Sequence, residues 1–162
     1  MLWLHLLGAF VWIGGLGFQV LVLWPFVARP ETTVERLRLS LGLEARFRHI
    51  MWPAVGLVLF TGLANLLNAW YATVMLGGSL PATFMWVLGT KLALILGIVL
   101  LQAVQQFVIQ PRRLAALADL SVTIQTLSPR CRQLQRLALR LSLAALVLAS
   151  AVLWCAVLLR HG

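Results

Sequence analysis

Four long apolar runs alternate along the chain with two arginine-rich segments and one short uncharged link. A hydrocarbon layer about 30 Å thick is crossed by roughly 20 helical residues, so the runs predict spanning helices over about 2–27, 50–75, 84–109 and 137–159. Helix is the expected form because lipid offers the backbone no hydrogen-bond partner. Steps of three and four residues return to one helix face. His5, Gly8, Trp12, Gly15 and Gln19 therefore form a stripe on the first helix. It is expected to line the bundle interior, because small residues let helices approach closely and polar ones find partners across the contact. Thr61, Asn65 and Asn68 make a similar stripe on the second helix, and Lys91, Gln102 and Gln105 share a face of the third. The fourth helix is blander, with Ser142, Ser150 and Trp154.

The first and third runs both end near a proline, Pro25 and Pro111, and both lead into a basic arm, over about 28–49 and 110–136. In the first arm Thr32 and Glu35 have capping-box spacing, which predicts a short interfacial helix starting there. Leu37, Leu41 and Leu43 would rest on lipid while the arginines face water, and Leu114, Leu117 and Leu120 repeat that pattern in the second arm. The expected fold is one all-α integral membrane domain spanning residues 1–162, a four-helix bundle of two helical hairpins. The hairpins point the same way, as in a parallel repeat.

Composition agrees with a membrane class: 62% of the residues are hydrophobic and 10% charged, and the mean hydropathy is +0.96. The formal charge of +9 would suit nucleic acid if it were spread over a surface. Instead the arginines cluster in the two arms, where anionic lipid accounts for them. The lipid bilayer is the expected partner and nucleic acid is not. The positive-inside rule puts both arms in the cytoplasm, giving an N-out, C-out topology. The opening Met1-Leu2-Trp3-Leu4-His5 lacks a basic n-region, so the first helix reads as a permanent span and not a signal peptide. Cys131 and Cys155 belong to opposite sides, which argues against a disulfide.

Lys91 is the only lysine and has no acidic residue in its run. An unpaired charge in hydrocarbon marks a functional site by default; the alternative is a side chain snorkelling to the outer interface. Without an acid in any apolar run, Lys91 would be neutral or paired with an anion the protein does not supply, such as a haem propionate, a lipid phosphate or a substrate. Depth from the outer helix ends is roughly 5 Å for His5 and about 10 Å for Asn68 and Lys91. Cys155 and His161 lie at this outer level too. His5 is either a bundle histidine bonded to a neighbouring helix or a ligand, since imidazole suits copper, zinc and haem iron. His161, Cys155, Met75 and Met85 are further candidate copper donors. Trp12 sits deep enough to line a pocket, whereas the other tryptophans fall near helix ends as belt residues. His49 starts the second helix roughly 30 Å from His5, so the two cannot sandwich one haem. No nucleophile–base set, phosphate-cradling loop or carboxylate pair is present, and redox catalysis would need a bound cofactor.

His5-Leu-Leu-Gly-Ala-Phe-Val-Trp-Ile-Gly-Gly-Leu16, Arg46-Phe47 leading to Thr61-Gly62-Leu63, and Leu88-Gly-Thr-Lys-Leu-Ala-Leu94 resemble the first three helices of the CopD (copper resistance protein D) family. A more distant likeness joins the chain to HemJ-type protoporphyrinogen oxidases, which share a first-helix histidine and a third-helix lysine. The HemJ arginine after the first-helix proline and the Asn-Glu-x-Pro near helix 4 are missing here. The first resemblance implies copper handling, as uptake or resistance, at the bacterial inner membrane through an outward-facing site with His5. The second implies b-type haem on His5, with Lys91 near iron or a propionate and Asn68 and Trp12 as neighbours, in electron transfer or porphyrinogen oxidation. Only the haem reading makes the protein an enzyme, an oxidoreductase. A third expectation is a structural subunit whose small-residue and glutamine faces, Gln102 among them, bind a membrane or periplasmic partner.

Overall fold

A computed structural model of the chain describes residues 1–27, 34–78, 81–118 and 129–161, with side chains through Leu117 and from Pro129 to Val157 in the last two stretches. Four helices dominate: α1 (Leu2–Val27), α2 (Val34–Met75), α3 (Ala82–Leu117) and α4 (Pro129–His161). Each holds a stretch long and apolar enough to cross a bilayer. The chain is a multi-pass membrane protein of all-helical build.

Two helices run well past their apolar stretches, α2 to 42 residues and α3 to 36. The arms are thus largely continuations of the spanning helices. Their leucines explain why: Leu37 and Leu41 do not lie on lipid but pack with Val27, Leu117 and Cys131 in a second apolar cluster. Leu114, in contrast, is exposed. Thr32 and Leu120, invoked for the interfacial helices, lie outside the described residues. At the other end of α2 the chain turns at Gly77, whose φ of +71° favours a residue without a Cβ. There the Gly77 and Gly78 amides cap the carbonyls of Val74 and Thr73 at 3.0 Å each.

The prolines act inside the helices. A π-helical turn spans Gln19–Leu23 in α1 and another Gln105–Ile109 in α3. A helical proline clashes with the carbonyl four residues earlier, here Leu21 for Pro25 and Phe107 for Pro111. Both carbonyls fall within the wider turns, which accommodate the ring at the cost of one extra residue.

α1 packs chiefly on α2, and α3 on α4. The main core joins all four helices through Trp12, Leu16, Val55, Val58, Ile95, Ile98, Ala145 and Ala149. Its closest backbone approach is at Gly8, where a Cβ would stand 2.9 Å from Val58 Cγ2 and 3.3 Å from the Ala54 carbonyl. The two hairpins also share a register. Gln19 and Gln105 open the π turns, Pro25 and Pro111 follow them, and His5 and Lys91 fall at the same constant offset. On α2 and α4 a single offset pairs Ser40 with Cys131, Met51 with Ser142, Ala54 with Ala145 and Val58 with Ala149, all eight of them buried. These offsets, 86 residues for α1 with α3 and 91 for α2 with α4, relate positions of the two hairpins.

Candidate functional site

Near the N-terminus of α1, His5 is half-buried against α2. Its Nδ1 lies 3.0 Å from Thr61 Oγ1, and the Thr61 hydroxyl donates to the Leu57 carbonyl one turn back. The hydroxyl hydrogen being committed, Thr61 accepts at its oxygen, which makes Nδ1–H the donor. This tautomer leaves Nε2 with a bare lone pair. Room for the ring comes from Gly62, where a Cβ would be 3.1 Å from His5 Cε1.

Lys91 of α3 and Cys155 of α4 are half-buried at the same end. Lys91 makes no hydrogen bond or ion pair with the described residues. Three of the sequence-derived site residues thus gather from three helices. Asn68 does not join them, because it is exposed on α2 beyond the packed stretch. The side chain of His161 lies outside those described, and Met75 and Met85 are exposed. Among the described residues no three His, Cys, Asp or Glu side chains meet at one point.

Deeper in the bundle, Trp12 is buried and its Nε1–H donates to Gln102 Oε1 at 2.8 Å. This bond ties α1 to α3 across the core. His49 is exposed at the arginine-rich end of α2, away from His5.

Sequence reading missed the polar core of that arginine-rich end. Arg113, 5% exposed, donates from Nη1 to both carboxylate oxygens of Glu44, at 2.9 and 3.2 Å. Around the pair, Gln105 Nε2 donates to Ser142 Oγ at 3.0 Å, Trp52 Nε1 to Gln106 Oε1 at 2.9 Å, and Gln135 Nε2 to the Val27 carbonyl at 3.0 Å. Glu44 escaped notice because it falls outside the apolar run. The signal was present, since Leu37, Leu41, Glu44, Arg48 and Met51 follow the same three- and four-residue steps and read as one continuous face.

The arrangement at the His5 end can offer an imidazole nitrogen to a metal, with a thiol and an ammonium nearby. The opposite end offers a dense, mutually bonded polar cluster. No protein-family model, curated protein or solved structure matches the chain.

Proposed function

We propose that the protein is a CopD-like inner-membrane protein of bacteria that handles copper at an outward-facing His5 site. The reading rests on one observation above all: the hydrogen-bonded line from His5 Nδ1 through Thr61 to the Leu57 carbonyl. Metal-bound histidines characteristically donate their second ring N–H in this way, which fixes the ring and raises the basicity of the ligating nitrogen. Cys155 supplies a soft donor type suited to copper(I). The ammonium of Lys91 nearby would weaken the hold on a bare cation, which suits a transfer site better than a store. The positive-inside rule orients this end outward, because the arginines all but one lie in or beside the two arms.

Lys91 also favours a second reading. Glu31, Glu35, Glu44 and Asp119, the chain's four acidic residues, all belong to the arms, so an anion for Lys91 would come from a ligand. Haem b, with His5 on iron and a propionate on Lys91, would supply one.

Competition with a chromophoric copper(I) chelator tests the first reading. Thr61→Val, which removes the acceptor of the ring N–H, is expected to weaken copper by about 10- to 100-fold; equal affinities in the two proteins would remove the His5–Thr61 line from copper handling. A visible spectrum of the same preparation separates the readings: Soret and α-bands support haem, and their absence at full metal occupancy supports copper.

A further inference from the structure

At the arginine-rich end the two hairpins turn equivalent residues toward each other. Gln19 and Gln105, Glu44 and Gln135, and Met51 and Ser142 line two adjoining cavities. Each cavity has a volume of about 30 Å³. A water needs at least about 10–15 Å³ on this measure, so each has room for a small ion or a pair of waters and for no organic substrate. An open groove between α2 and α3, with Arg38 and Arg48 on its walls, shares Arg48, Gln106 and Gln110 with the first cavity. The groove and the first cavity therefore adjoin at these three side chains.

Its charge is uneven. Glu44 contributes one negative charge against the two positive charges of Arg48 and Arg113. Arg113 lines the second cavity, and its buried Nε has no hydrogen-bond partner among the described residues. A buried donor left unmade costs free energy and calls for an explanation. The Gln19 amide is also weakly engaged, its partner being the Met51 sulfur at 3.8 Å. Thus, among the described lining residues, two donors are short of partners around a space with one surplus positive charge.

We propose that this chamber binds a small monovalent anion of about chloride size, held between the Arg113 guanidinium and the amides of Gln19 and Gln105. The single surplus charge matches a monoanion, and the cavity volume excludes phosphate esters and lipid headgroups. Arg38 and Arg48 draw the anion toward the groove. The chamber is independent of the His5 site.

The test uses the full chain purified in detergent with gluconate as the only bulk anion. Chloride is titrated at constant ionic strength, following both radiolabelled chloride uptake and the thermal unfolding midpoint. Saturable chloride binding with a matching rise in the midpoint is expected, and gluconate has no effect. Glu44→Gln removes one negative charge, raising the net charge of the lining by one, and releases Arg113, so chloride binding should tighten by about tenfold or more. Glu44→Gln combined with Arg113→Gln keeps a neutral polar pair and should abolish binding, while His5→Ala should leave it unchanged. Absence of saturable binding in the wild type, unchanged or weaker binding in Glu44→Gln, or full binding in the double variant would each overturn the proposal.

Discussion

The two ends of the bundle carry polar groups in opposite ways. At the His5 end they are few and spread over three helices, with His5, Lys91 and Cys155 half-buried and His5 bonded to the buried Thr61. At the other end all four helices contribute, and an ion pair with its surrounding amides is mutually bonded inside the bundle. Polar groups in a membrane protein become structural when they satisfy one another. A donor or cation left short of partners is what remains available to a ligand. The contrast gives the arginine-rich end a bonded network and leaves the His5 end with the groups that the proposed copper site would use; among the described residues, Arg113 Nε is a buried donor of that network without a hydrogen-bond partner.

The largest effect should come from breaking the ion pair. Arg113→Ala strands the Glu44 carboxylate, whose side chain is 17% exposed, and removal of one partner of a buried pair costs about 3 kcal/mol or more. Chemical denaturation in detergent should show this loss and show Glu44→Ala combined with Arg113→Ala to be less damaged than Arg113→Ala alone. Gly8→Ala pushes α1 off α2 at the Val58 contact, an overpacking change worth about 1–3 kcal/mol. A neutral result there would mean that the α1–α2 contact is looser than its 2.9 Å approach implies. A smaller change should follow Gly62→Ala. The added methyl displaces the His5 ring and lowers metal affinity several-fold while shifting the unfolding midpoint little. Smallest is the Trp12–Gln102 bond. A double-mutant cycle with Trp12→Phe and Gln102→Leu should give a coupling of about 0.6 kcal/mol and no more than about 1.7.

Much of this was legible from residue spacing alone. Gly8, Trp12 and Gly15 are buried as their stripe predicts, with His5 and Gln19 half-buried at its two ends. Lys91 and Gln102 share the face of α3 that carries the buried Ile95 and Ile98. Asn68 lies exposed two turns beyond Thr61, past the reach of α1, whose first residues stand opposite Thr61. The ion pair was hidden for a different reason. A hydropathy window ends where polar residues begin, but a helix continues as long as its apolar face finds a partner, and Leu37 and Leu41 find one in Leu117. The π turns leave no mark in hydropathy at all. Their trace is the repeated spacing of a glutamine six residues before a proline, in Gln19 with Pro25 and Gln105 with Pro111.

The most direct test of the division between the two ends is copper content by elemental analysis after growth with added copper, in the wild type, His5→Ala and His49→Ala. Copper bound by the wild type should be retained in His49→Ala and lost in His5→Ala. Equal copper in His5→Ala and the wild type would contradict the account.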